Sequence, residues 1–345
     1  MTDTMRVAVY HSNKDVRLEE RPIPTIWARE LLVKVHASGI CGSDVLEWYR
    51  APKAPLVLGH EIGAEVIAAG AEVKDWKVGD RVFVSHHVPC GECLFCRTGH
   101  ETVCETLRHT NFDPGGFAEY VRIPELNVAR GTFRIPENLS YEEATFVEPL
   151  GCVVRGQRLA AFRAGQTVLV LGSGMAGQLH IRLAQASGAG KTFATDIQEY
   201  RLKVAKASGA DAALDAREDV AANVKLLNGG RVADLVIVCT GAPAAIEQAF
   251  RCVEPGGTVL FFAPTTPEAK VPMPFNDLWR NEVTITSSYG AAPRDIRESL
   301  ELLGKGRVKV ADLITHRLPL EEAGKGFALV AEGKESIKVV LQPHG

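Results

Sequence analysis

Four of the eight cysteines in this 345-residue chain, Cys90, Cys93, Cys96 and Cys104, crowd into one stretch with the spacing C-x2-C-x2-C-x7-C. Thiolates at such intervals can wrap a single cation, and four sulfurs with no open position are how structural zinc is held. Gly91 and Gly99 supply the turns that so short a loop needs. Two other readings compete, a set of unrelated thiols and an iron–sulfur cluster. Ferredoxin runs continue with a Cys followed by Pro and with a second set of cysteines, and neither follows here. Cys152, Cys239 and Cys252 lie in apolar surroundings, where a thiol is inert packing. Only Cys41 then needs a chemical explanation.

Cys41 opens the run Cys41-Gly42-Ser43-Asp44 after an apolar segment, and Gly59-His60-Glu61 lies 19 residues on. A thiolate and an imidazole on neighbouring loops are two of the three protein ligands of an open, catalytic zinc. The third must come from elsewhere: Glu148 is a carboxylate in the otherwise apolar run Phe146 to Leu150, and Glu61 adjoins the histidine. Each of these residues alone reads as readily as structural, and Ser43 before an Asp reads as a turn or cap. Their combination is what points to a metal.

A third constellation is Gly172-Ser173-Gly174-Met175-Ala176-Gly177, after the apolar run Thr167 to Leu171 and at the start of a helical pattern. Such glycines allow a tight turn and let a pyrophosphate approach the helix N-terminus, where free amides and the helix dipole favour anions. Asp196, 24 residues after the first glycine, is placed to accept hydrogen bonds from a ribose diol and to repel a 2′-phosphate. That favours NAD over NADP. Arg201 reads as a helix-surface charge or as packing against adenine. Thr240 and Gly241, with Ala263 to Thr265, fall at strand ends where ligands of such sheets bind, although ordinary turns explain them equally well.

These residues need elements to hold them. Up to about residue 150 the chain alternates short β-rich runs (Leu31 to His36, Gly63 to Ala68, Arg81 to Ser85) with Gly and Pro, the pattern of a mostly β domain. Apolar strands then alternate with helical stretches: Thr167 to Leu171, Lys191 to Thr195, Ala212 to Leu214, Leu235 to Cys239, Thr258 to Phe262 and Val283 to Thr286. Six such strands make a doubly wound parallel sheet. A tail follows, with a helix over Arg294 to Leu303, Thr315 to Leu320, a helix from Glu321 and a strand over Ile337 to Leu341, and it is placed to return to the first domain.

With 46% hydrophobic residues the chain can bury two cores. Lys and Arg number 39 against 42 Asp and Glu, for a net charge of −3, and no long basic stretch is present, which argues against a nucleic-acid partner. Met1 to Pro22 lacks the apolar core of a secretory signal, and no apolar run is long enough to span a membrane. A cytoplasmic protein is expected.

The stretches Gly39 to Asp44 (GICGSD), Leu58 to Gly63 (LGHEIG), Val78 to Val82 (VGDRV), Pro89 to Cys104, Gly115 to Val121 (GGFAEYV) and Glu148 to Leu150 (EPL) together resemble the zinc-containing medium-chain dehydrogenases. The closest resemblance is to the branch of sorbitol, idonate and threonine dehydrogenases, and it runs over essentially the whole chain. It implies an α/β fold: a β-rich GroES-like catalytic domain over residues 1–153 and 291–345, and a doubly wound Rossmann domain over 154–290. It implies two zinc ions per chain and NAD. Cys41 and His60 would bind the catalytic zinc, with Glu61 and Glu148 as carboxylates that ligate it directly, through water or alternately. The zinc lowers the pKa of a substrate hydroxyl, and Ser43 takes the substrate proton. The substrate would be a polyol, sugar alcohol or cyclitol, with a threonine-type amino alcohol or an inert zinc- and nucleotide-binding protein as alternatives. A homodimer or homotetramer is implied.

The chain departs from the family at Leu46, where many members have a proton-relay histidine, and at Arg155, where relatives often have histidine. The loop between Cys41 and His60 is also short. Glu148 or water is expected to take the place of the missing relay histidine. His86 and His87 are expected to point to opposite faces of a strand, so that at most one reaches the metal. Trp48, Tyr49 and Arg50 either line the substrate pocket or pack the loop. Replacing Cys93 by Ser should remove about one zinc ion per chain and lower stability. Metal analysis and thermal unfolding test this, and unchanged zinc content would refute it.

Overall fold

The computed structural model describes residues 3–345, and the chain forms two compact units. One runs to Gly151 and resumes at Ala291–Gly345; the other is Cys152–Gly290. The first boundary thus falls at 151, where the sequence-based expectation was 153.

The first unit is built on a seven-stranded sheet. Its strands lie in the order Ile314–Pro319, Lys338–Gln342, Leu31–Ile40, Glu61–Ala69, Arg81–Val84 and Thr132–Arg134, with Tyr120–Ile123 also paired to Leu31–Ile40. A smaller sheet joins Asp15–Pro22, Thr4–Ser12 and Leu56–Val57. Alternation along Leu31–Ile40 sends Leu31, Val33, Val35 and Ala37 into the core while Leu32, Lys34 and His36 stay half-buried. The tail returns to this unit: helix Ala323–Glu332 stops at Gly333, which takes the left-handed conformation (φ +60) that only glycine adopts without penalty, and the chain then enters the sheet as Lys338–Gln342.

That last strand matters for the site. Lys338–Gln342 and Glu61–Ala69 flank Leu31–Ile40, and Gly39 is the register partner of both Glu61 and Val340. Lys338 and Glu61 are wholly buried and form an ion pair across the glycine. A Cβ added at Gly39 would lie 2.5 Å from Glu61 Oε2 and from Lys338 Nζ, so the pair exists only because residue 39 has no side chain.

The second unit is a six-stranded, all-parallel sheet. Thr167–Leu171 is flanked on one side by Lys191–Asp196 and Ala212–Asp215, and on the other by Ala233–Val238, Val253–Phe261 and Thr284–Ser287. Helices cover both faces, so the central strand is buried throughout: Val168 and Val170 join one core, Leu169 and Leu171 the other. The fifth strand begins at Val253 rather than Thr258, because Val253 already pairs with Ala233 before the register shifts.

Gly39→Ala should lower stability by about 1–3 kcal/mol through overpacking, read as a shifted denaturant midpoint. Gly42→Ala, where an added Cβ meets nothing within 4 Å, is the control and should leave the midpoint in place.

Candidate metal and dinucleotide sites

The four-cysteine lobe closes on itself. Cys93 and Cys96 sulfurs are 3.5 Å apart, Cys104 and Cys90 3.6 Å, and Cys90 and Cys96 3.9 Å. A tetrahedral zinc with sulfurs at 2.3 Å requires S–S edges of about 3.8 Å, so the lobe fits the ion. Gly91 and Gly99 both have left-handed φ (+82 and +83), which bends the loop around the sulfurs. The backbone amides of Glu92 and Cys93 lower the Cys90 thiol. Burial opposes the Cys104 thiolate, yet the Cys90 and Leu107 amides bring it to about 6. Burial pushes the Cys96 thiol up to about 12, so it is at Cys90 and Cys104 that the amides favour negative sulfur, the form that binds metal.

The second set converges as well. One ligand atom from each of Cys41, His60 and Glu61 lies within 4.8 Å of the others. Cys41 caps a short 3-10 turn over Gly42–Val45: its sulfur accepts the Ser43 amide at 3.4 Å, and its own amide donates to Asp44 Oδ2 at 3.0 Å. Asp44 Oδ1 stands 3.4 Å from His60 Nδ1. A carboxylate there fixes the ring and leaves the other nitrogen for a metal. Burial works against the Asp44 charge, but His60, Arg50 and the Cys41 amide hold its carboxyl below the usual range.

Glu61 is the carboxylate of this set. Oε2 accepts from Lys338 Nζ, while Oε1 is buried with no hydrogen-bond partner. A buried orphan acceptor beside a cysteine and a histidine is what a cation would satisfy, so the donor set fits zinc. Burial raises the Glu61 carboxyl above its ordinary value, the Lys338 and His60 charges pull it down, and the Glu148 charge adds to the rise. Glu148 is thus close enough to act on Glu61, but it is outside the three-residue group that converges. It stands in the first turn of helix Val147–Leu159. Arg155, further along that helix, is buried.

The sequence reading passed over Lys338, Asp44 as the partner of His60, and the role of Arg50, whose guanidinium reaches both Ser43 and Asp44. For the histidine pair the structure corrects only the expected placement on a strand, since neither ring is in the converging group. His86 and His87 do not alternate on a strand: Arg81–Val84 ends before them, and in the bend that follows their rings lie 3.9 Å apart, with His86 4.7 Å from His60. Burial lowers both, His87 to about 4, and neighbouring positive charges add to it. Trp48 is partly exposed and Tyr49 packs under Arg50 and Lys53, 4.7 and 3.9 Å from its ring centre.

In the second unit the glycine run has the form its spacing promised. Gly172 has φ +95, Gly174 caps helix Met175–Ala186 where a Cβ would meet only the Arg201 guanidinium, at 3.8 Å, and a Cβ on Gly177 would stand 2.1 Å from Gly172 O. These are the tight turn, the open approach and the close packing that a pyrophosphate loop requires. Met175 and Ala176 form the first helical turn. Asp196 ends its strand with Oδ2 accepting the Ser173 amide at 2.9 Å and Oδ1 the Gln198 amide at 2.9 Å. Arg201 Nη1 lies 3.8 Å from Asp196 Oδ2, so it is a partner of that carboxylate rather than a free surface charge. The strand ends converge too: Thr240 Cβ comes within 3.2 Å of a Cβ built at Gly172, and Gly241 packs so closely on Pro264 O that a Cβ there would be 2.5 Å away. Ala263 donates back to Val238 O at 3.0 Å, which holds Thr265 beside them.

Known proteins share this organisation. Residues 28–137 match the alcohol dehydrogenase GroES-like domain, and residues 176–305 match the zinc-binding dehydrogenase domain. L-threonine 3-dehydrogenase of Bacillus licheniformis is 38% identical, over 93% of this chain and 94% of its own length. Sorbitol dehydrogenase of Bacillus subtilis is 32% identical over 99% and 98%. Among solved structures, an alcohol dehydrogenase of E. coli CFT073 complexed with NADH superimposes with a TM-score of 0.87, at 28% identity and 99% coverage of both chains.

A pH dependence follows from His60. Burial disfavours its charge, but Asp44 and Cys41 outweigh that and hold its pKa well above the ordinary value. Metal needs the neutral ring, so zinc must displace a proton throughout the range below that raised pKa. Apparent zinc affinity at Cys41, His60 and Glu61 should fall about tenfold per pH unit for each proton displaced as pH is lowered. Competition titration with a chelator measures this, and a pH-independent affinity would contradict it.

Proposed function

The chain belongs to the zinc-containing medium-chain alcohol dehydrogenase family, in the branch of polyol and threonine dehydrogenases, and on that premise we propose that it oxidises a secondary alcohol of a polyol, sugar alcohol or cyclitol to the ketone with NAD as hydride acceptor. The observation that carries the reading is the convergence of Cys41, His60 and Glu61, with one carboxylate oxygen left unpartnered. The reaction balances as secondary alcohol plus NAD⁺ giving ketone, NADH and one proton.

Zinc held by Cys41, His60 and Glu61 supplies Lewis acidity that lowers the pKa of the substrate hydroxyl. The chain's own groups do the rest. Asp44 keeps His60 in one tautomer and orientation. Ser43 accepts the substrate proton on its hydroxyl oxygen and gives up its own. With Leu46 in the family's histidine position, that proton leaves through water or through Glu148, whose charge already acts on Glu61. The glycine loop and the amides opening helix Met175–Ala186 hold the pyrophosphate, and Asp196 the adenosine ribose. Thr240, Gly241, Ala263 and Thr265 line the same sheet edge for the cofactor. The 38% identity to a threonine dehydrogenase favours an amino-alcohol substrate as the second reading.

The enzyme is read as a cytoplasmic homodimer or homotetramer. Among the described residues no helix is long and apolar enough to cross a membrane. In support of self-association, Thr284–Ser287 is an edge strand, and Phe275 and Trp279 in the segment before it are 72% and 69% exposed. Sedimentation analysis gives the subunit number.

The test supplies zinc-loaded protein with NAD and a panel of polyols, cyclitols, simple secondary alcohols and threonine, and follows NADH. Turnover of polyols supports the proposal; turnover of threonine alone selects the second reading; silence with cofactor bound marks an inert scaffold. In the same assay Asp196→Ala should shift the NAD to NADP preference toward NADP by about tenfold, the equivalent of ~1.4 kcal/mol. An unaltered ratio removes Asp196 from cofactor selection.

A further inference from the structure

Arg50 ends the short helix Glu47–Arg50, and its side chain is only 14% exposed. Its Nε donates to Ser43 O at 3.1 Å. Its Nη2 donates both to Ser43 Oγ and to Asp44 Oδ1, each at 3.2 Å. One guanidinium therefore reaches the hydroxyl assigned to proton transfer and the carboxylate that orients His60. Asp44 is fully buried, with Oδ2 already committed to the Cys41 amide, so its position is over-determined from three sides.

The chemistry of the groups makes this contact directional. A guanidinium only donates, whereas a serine hydroxyl has one proton and two acceptor lone pairs. Arg50 occupies one lone pair of Ser43 Oγ, so the Ser43 proton must point away from it. What remains on the oxygen is one lone pair and one outward proton, the two features a group needs if it is to take a proton on one side and release one on the other. Without such a partner the hydroxyl rotor has three staggered positions to choose from. Lys53, the neighbouring cation, instead places its Nζ over the Tyr49 ring, 3.9 Å from the centre.

We propose that Arg50 is a positioning residue for the reaction: it sets the rotor of Ser43 for proton transfer and, through Asp44, the ring of His60. The inference rests on the dehydrogenase reading above. It gives the chain, which has Leu46 in the family's histidine position, a different polar partner for Ser43. The requirement is for a planar fork, so lysine is a partial substitute at best.

Arg50→Gln should lower kcat about 10–100-fold, the usual effect of removing a partner of a metal-site residue, with KM changed by less than about threefold. Arg50→Lys should fall between the two. The decisive comparison is the double variant. Because part of its action runs through Ser43 and the rest through Asp44, adding Arg50→Gln to Ser43→Ala should cost clearly less than Arg50→Gln costs alone. An equal loss in both backgrounds would overturn the proposal. Cobalt(II) exchanged into the Cys41, His60 and Glu61 site supplies a readout without turnover: its visible bands should shift in Arg50→Gln and stay in place in Ser43→Ala. Unchanged bands in Arg50→Gln would also overturn it. If Arg50→Gln fails to fold, Arg50→Lys carries both measurements by the same criteria. Silence of the wild-type enzyme on every alcohol means failure of the functional reading, and the cobalt bands then decide the Arg50 proposal.

Discussion

Two opposite charges with no access to water, Glu61 and Lys338, are the constraint around which the first unit is arranged. Burying either alone costs several kcal/mol, and burying both is tolerable only with close pairing. That requirement reaches across the chain, because the lysine arrives on the last strand and the glutamate sits next to His60, a candidate metal ligand. Gly39 must lack a side chain for the two to meet. A carboxylate that shares its charge with a lysine binds a further cation less tightly than a free one. Such a ligand suits a site that has to keep a position open for a substrate.

From that pair outward the site is a sequence of carboxylates and their donors. Glu61 faces Lys338, Asp44 faces His60 and Arg50, and the Cys41 amide completes Asp44. Both oxygens of Asp44 are engaged, whereas Glu61 keeps Oε1 without a partner, which leaves that oxygen for a metal. The four-cysteine lobe works by the opposite rule. Its sulfurs face each other and draw their stabilisation from backbone amides in the same short loop, so it needs nothing from distant strands.

The dinucleotide unit shows the same economy in Asp196. Its carboxylate accepts the amide of Ser173 inside the glycine loop as well as that of Gln198, so one residue shapes the glycine loop and, in the proposed reading, also faces the cofactor ribose. Arg201 beside it tempers that charge. The balance between the two sets how strongly a 2′-phosphate would be refused.

Local spacing alone determined much about this protein. The cysteine lobe, the glycine loop and the alternation of apolar strands with helices are features whose parts lie within a few residues of each other, so the chain's geometry leaves them little freedom. Cys41 and His60 stood out as candidate ligands for a related reason, since each sits in a short turn beside a strand. Tertiary structure decided the rest. Lys338 is 277 residues from Glu61, and no periodicity links them. The convergence of Glu61 rather than Glu148, the tilted packing of His86 against His87 in a bend, and the grip of Arg50 on Ser43 depend on where side chains end up after strands pair and loops close. Long-range pairing of buried charges and the rotamers of partly buried polar groups are set by the packed whole, and no short window of sequence contains the information.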